Sequence, residues 1–234
     1  MDITAETIEK IQSLIPVNDR IKKIDGRIYT YGKFSELRMP KLETMRLSTL
    51  DGFIEFANSR EDRSKLIVTI DSQEHVSLRS ANVDKDWNNY DLLAIASASE
   101  FISDYKYGRS YDAEEFMIRL QTGFIITPAR DNLIKVAGNM SGESESKIED
   151  DGVTQSTTVG RAVKTKVTIK NPVELKPVRT FQEVEQVSSP FIFRIDDDMN
   201  LTLHTGDSGK WKLAAIKEIA KYLRGNLNEI KVYA

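Results

Sequence analysis

Val163-Lys-Thr-Lys-Val-Thr-Ile-Lys170 and, further on, Pro190-Phe-Ile-Phe-Arg194 decide how this chain folds. In the first run Val163, Val167 and Ile169 alternate with Lys164, Lys166 and Lys170. Side chains alternate across a strand, so this is a strand with one apolar face and one lysine face. The second run is continuously apolar, as a buried strand is. The segment before them has a different character. Between Asn139 and Thr158 the only apolar side chains are Met140, Ile148 and Val153, too few to hold a core face. That segment reads as a loop or long hairpin protruding near 139–162 from a packed body.

Working outward, helices and hairpins mix without regular βαβ alternation, which predicts an α+β fold of antiparallel strands with packed helices. Ile8, Ile11 and Ile15 share a helix face that Pro16 closes. Asp25-Gly26 sits between Ile21–Ile24 and Arg27–Tyr31 as a hairpin turn. From Gly32 to Leu47 the pattern is irregular, an extended arm. Ser48 and Asp51 open a helix with Leu50, Phe53 and Ala57 inside. Leu66–Ile70, His75–Arg79 and Leu92–Ala96 read as strands, and Asn82–Asn89 as a turn holding Trp87. Asp112 caps one helix. Thr127-Pro128 starts another, which Gly138 closes in the left-handed conformation. Further strands are expected at Val178–Val184, Leu201–Thr205 and Glu229–Tyr233. A helix from Lys210 to about Leu223 lies between the last two, ended by Gly225. The domain reading is 1–47, an N-terminal helix and arm, and 48–234, one α+β domain.

The chain has 234 residues, 33 basic and 36 acidic side chains, a formal charge of −3 and no cysteine. One sizeable core fits this length. Disulfides and thiolate chemistry are excluded, and overall charge gives no drive towards nucleic acid or anionic membrane. No secretory or membrane-spanning pattern is visible, so the expected location is the cytoplasm, with no membrane partner. No cofactor is implied.

Candidate chemistry is sparse. Gly206-Asp-Ser-Gly-Lys210 opens a helix, where free amides and the helix dipole attract anions. Ser208, Gly209 and Lys210 are the candidate anion site, against a plain turn in which Ser208 caps the helix. Asp196-Asp-Asp-Met-Asn200 has acids enough for Mg²⁺ or Ca²⁺ but carries Leu201 where a calcium loop needs glycine. It reads as a hairpin turn. Asp150, Asp151 and Glu174-Leu-Lys176 have the order of metal-dependent nuclease residues, yet Pro172 and Pro177 flank the second group and favour an edge or loop. His75 and His204 stand in alternating strands without a nucleophile elbow nearby.

The strongest signal is charge asymmetry. Residues 139–158 hold Glu143, Glu145, Glu149, Asp150 and Asp151 against Lys147. Residues 161–179 hold Arg161, Lys164, Lys166, Lys170, Lys176 and Arg179 against Glu174. One reading has Glu149, Asp150 and Asp151 of one copy meeting Lys164, Lys166 and Lys170 of the next. The other has those lysines tracking a nucleic-acid backbone, although no aromatic interleaves them. A third, purely protective reading makes them guards of an edge strand.

Asp150-Asp-Gly-Val-Thr-Gln-Ser-Thr-Thr-Val-Gly-Arg-Ala162, Arg179-Thr-Phe-Gln-Glu-Val-Glu-Gln186, Pro190–Arg194 and the Trp211 helix together resemble a family of tailed-phage and prophage proteins, distantly similar to the YfdQ-like prophage proteins. The resemblance spans roughly Leu47 to Leu223 and implies a phage-encoded protein of the bacterial host cytoplasm without an established activity. It carries no catalytic residues. The expectation is therefore a non-enzymatic, homo-oligomeric structural or interaction protein, of the kind that builds rings or shells. The alternative is a nucleic-acid-binding accessory in phage DNA replication or recombination.

Overall fold

The computed structural model describes residues 5–14, 21–24, 27–30, 43–84, 87–140, 147–150, 154–159 and 165–234. The chain divides into two compact units, Met1–Glu43 and Thr44–Ala234. In the first, helix α1 (Ala5–Ser13) precedes an antiparallel hairpin of β1 (Ile21–Ile24) and β2 (Arg27–Thr30), with Ile24 opposite Arg27. The expected Asp25-Gly26 turn and most of the expected arm lie outside the described residues.

The second unit is an α+β fold. In chain order it holds β3 (Met45–Leu47), α2 (Leu50–Asn58), β4 (Leu66–Ile70), β5 (His75–Asp84), β6 (Trp87–Ser97), α3 (Ala113–Gly123), α4 (Pro128–Met140), β7 (Lys147–Asp150), β8 (Thr154–Val159), β9 (Thr165–Lys170), β10 (Val173–Leu175), β11 (Ser189–Ile195), β12 (Leu201–Thr205), α5 (Lys210–Asn226) and β13 (Lys231–Tyr233).

A five-stranded sheet in the order β13-β4-β5-β6-β3 forms the first layer. Its centre is an antiparallel meander of the three strands expected there, but β13 joins β4 and β3 joins β6 in parallel, so the sheet is mixed. Met45–Leu47, read as the end of an arm, is thus a sheet strand. The meander is also longer than its hydrophobic pattern. β5 and β6 stay paired out to Asp84 opposite Trp87, where a turn was expected over Asn82–Asn89. Helices α2 and α5 cover this sheet, burying Leu50, Phe53, Ala57, Ile219 and Leu223 against Val68, Val76, Leu78, Ala94 and Ala96. The α2 cap, Thr49, lies one residue beyond the expected Ser48. The Thr49 side chain accepts from Gly52 N, and Glu183 Oε1 accepts from Leu50 N at 2.6 Å. A distant carboxylate thus satisfies a free amide at the helix start.

The second layer is built on β10-β11-β12, an antiparallel sheet. The continuous apolar run is its central strand, β11. Phe191 and Phe193 are fully buried with Leu201, Leu203, Phe116, Leu120 and Leu133 from β12, α3 and α4. Asp112 caps α3 as expected, accepting from Glu115 N at 2.8 Å. α4 runs through Gly138 to Met140 without a left-handed stop, because Met140 is buried in this core and extends the apolar face beyond the glycine.

The expected strand at Val178–Val184 does not form. Val178 bonds to the backbone of Gly123 and Ser103, and three further backbone groups are taken by one side chain. Gln186 Oε1 accepts from Arg179 N at 3.0 Å, and Gln186 Nε2 donates to Phe181 O and Val184 O. Buried amides need partners, and a side-chain amide supplies them here in place of a neighbouring strand.

Candidate self-association and anion-binding surfaces

The polar segment and the lysine strand belong to one three-stranded antiparallel sheet, in the order β7-β8-β9. In its register Glu149 pairs with Ser156 and Asp150 with Gln155. On the other side of β8, Lys166 pairs with Thr158 and Lys170 with Thr154. Of the two forms expected near 139–162, the hairpin is the one described, between β7 and β8. Asp151 and Lys164 lie outside the described residues. β9 ties this sheet to the second core. Ile169 is buried there, and Asn171, just past the strand, is buried too. Asn171 Nδ2 donates to Phe193 O at 3.0 Å, and Phe193 N donates to Asn171 Oδ1 at 2.8 Å. Lys170, between those anchors, is exposed.

The basic run 161–179 is not one surface. Lys176 is paired with Glu185 at 2.8 Å, and that lysine holds the Glu185 carboxyl below its ordinary pKa. Arg179 is 6% exposed. Its guanidinium lies 3.9 Å from the Trp211 ring centroid and 5.7 Å from that of Phe191, and Nη2 donates to Ser189 Oγ at 2.5 Å. Nε and Nη1 have no hydrogen-bond partner among the described residues. Burial pulls the pKa of Arg179 down, while Tyr107 and Asp207 push it up. Tyr107 stacks on Phe191 at 5.3 Å, and burial pushes its phenol up to about 12. Two of the six bases are therefore committed, one to an ion pair and one to the core. No sequence signal separates them from their neighbours.

The head of α5 is also committed. Gly209 holds the cap position, and the carboxylate of Asp207, not the Ser208 hydroxyl, takes up the amides of the turn. Asp207 Oδ1 accepts from Gly209 N at 3.1 Å and Oδ2 from Trp211 N at 3.3 Å. Ser208 and Gly209 adopt positive φ, 52° and 81°, to make the turn. A carboxylate of the chain's own occupies the place expected for an anion over Ser208, Gly209 and Lys210. This is the capping alternative, with the neighbouring residue in the role.

The remaining motifs resolve as turns and surface pairs. Asp196 Oδ1 accepts from Asp198 N and Asn200 N, at 3.0 and 2.8 Å, a self-bonded turn of the kind aspartate favours. Glu174 accepts from Ser188 Oγ at 3.0 Å on β10, an edge strand of its sheet. Among the described residues no group of three or more His, Asp or Glu is placed to hold a metal ion. His204 is exposed on β12. His75 lies between two hydroxyls, Ser72 Oγ at 3.3 Å from Nδ1 and Ser97 Oγ at 3.4 Å from Nε2. A nucleophilic serine needs a closer base, oriented by a third group. The nearby Asp71 carboxylate is bonded instead to Thr69 and Ser77. Among the described residues no helix is long and apolar enough to cross a membrane.

Comparison with protein-family models, with curated protein sequences and with solved structures found no match.

Proposed function

We propose that this chain is a non-enzymatic structural or interaction protein that works by joining copies of itself through the two outer strands of the β7-β8-β9 sheet. One observation carries the reading: the acid-bearing strand β7, with Glu149 and Asp150, and the lysine-bearing strand β9, with Lys166 and Lys170, stand at opposite ends of one sheet order. An outermost strand presents backbone groups that can pair with another chain. Opposite charges on the two outer strands favour β7 of one copy beside β9 of the next and disfavour like meeting like.

Such a joint is head-to-tail. Repeated, it closes into a ring or continues as a filament. The resemblance to tailed-phage and prophage proteins supports the same reading, because some phage proteins of this size form rings or shells. The setting it supports is the cytoplasm of a bacterial host. The test is the solution mass of the full chain by light scattering at low and high ionic strength. An oligomer that shrinks when Glu149 and Asp150 become lysines, and is restored when Lys166 and Lys170 become glutamates in the same chain, is the expected result. A monomer at high concentration contradicts it.

A further inference from the structure

We infer that the solvent face of α5 is a docking surface for the phosphate backbone of a nucleic acid, separate from the sheet edges proposed above. The helix carries Lys210, Lys212, Lys217, Lys221 and Arg224 against a single acid, Glu218, in a chain whose net charge is −3. At 3.6 residues per turn, Lys210, Leu213, Lys217, Lys221 and Arg224 fall within an arc of about 80°, opposite the core side formed by Ala215, Ile219 and Leu223. All five are exposed. At 1.5 Å per residue the row is about 21 Å long. Glu218 lies beside it, 4.0 Å from Lys221, with the lysine side chain 81% exposed. Arg224 donates one Nη2–H to Val232 O at 3.2 Å, which steadies the C-terminal end of the row.

The chemistry of the row selects the partner. A protein interface of ordinary strength needs a desolvated apolar centre with aromatic or arginine anchors, and this face offers one apolar side chain, Leu213. A membrane-surface helix needs a continuous apolar face turned outward, and here that face is turned into the core. A row of cations with little apolar surface is suited to phosphates. Trp211 is engaged by Arg179, so base stacking contributes little and the expected binding is indifferent to sequence.

The test is fluorescence anisotropy of a labelled mixed-sequence DNA duplex and of the matching single strand with the full-length protein. Four phosphate contacts predict a duplex salt slope of about −3.6, or about a 150-fold loss of affinity between roughly 50 and 200 mM salt. Lys217→Glu with Lys221→Glu, both at exposed positions, is expected to abolish binding, and Lys217→Arg with Lys221→Arg to keep it. Lys166→Glu with Lys170→Glu is expected to change particle mass without removing the α5 site. Absence of binding by the wild type at low salt overturns the inference, as does equal binding by the α5 reversal. If the α5 reversal instead changes the particle mass and no oligonucleotide binds, the face joins protein copies and the inference is likewise wrong.

Discussion

Residues 161–179 and helix α5 carry similar positive charge, six bases against one acid and five against one, yet the fold uses them in opposite ways. In 161–179, Lys176 is spent in an ion pair and Arg179 is shut under Trp211 and Phe191. On α5 the bases of the outer row are exposed. The difference lies in what each segment must bury. A helix with an apolar face turned inward leaves the rest of its circumference free, so its cations stay outside. A strand followed by irregular chain threads between core elements and takes some of its polar groups inside. Linear charge density is therefore a poor guide to surface potential unless the local period is known.

Substitutions in the two regions sharpen this contrast. The largest effect is expected at Asn171→Ala, which strips Phe193 of both side-chain partners and leaves a buried N–H and C=O unpaired. A loss of about 3 kcal/mol in urea unfolding is expected, at roughly 1–3 kcal/mol per unsatisfied group. A loss below about 1 kcal/mol would mean that β9 is not anchored to the second core as described. At the head of α5, Asp207→Ala should cost about 1 kcal/mol and Ser208→Ala much less. The reverse order would return the cap to Ser208.

Arg179→Met tests whether that base belongs to the core. It keeps much of the side-chain bulk while removing a buried cation with two unpartnered nitrogens. Its stability change should stay within about 1 kcal/mol in either direction, since well-packed apolar replacements of buried charges are commonly tolerated. A severe loss would show that those nitrogens are satisfied in solution. Lys217→Ala, on the exposed row, should stay within about 0.5 kcal/mol.

Alkaline titration gives the mildest perturbation. The Tyr107 phenol is raised to about 12 by burial, so its folded pKa lies above the ordinary value. Its contribution to stability is complete below pH about 10 and is lost as pH rises through about 12, because the unfolded chain releases this proton first. Ultraviolet titration should show Tyr107 ionising late, and Tyr107→Phe should flatten the alkaline fall in stability. An ordinary Tyr107 titration would place the ring in solvent and open the surroundings of Arg179.

The parts of the fold readable in the sequence were those with a local period or a local cap. Phe191 and Phe193 announce a buried strand, Asp112 three residues before Glu115 announces a helix start, and the inner row of α5 is plain. Non-local pairings were hidden. Nothing in Met45–Leu47 indicates a parallel partner in β6, and nothing in Val178–Val184 shows that Gln186 will take up its backbone groups. Both depend on residues brought together only after folding. For the surfaces, the sequence marked the charge swing between 139–158 and 161–179, but not which bases the core would withdraw. The outer row of α5 carries no signal of its own in the sequence. Its cations are spaced seven, four and three residues apart, which looks like ordinary solvation until the inward face is known.

In the assembly proposed above, oppositely charged outer strands of one sheet join copies of this chain. Light scattering of three proteins tests it directly: the wild type, Glu149→Lys with Asp150→Lys, and that pair combined with Lys166→Glu and Lys170→Glu. A large particle, a small one and a large one again is the predicted series. Three equal masses would contradict it.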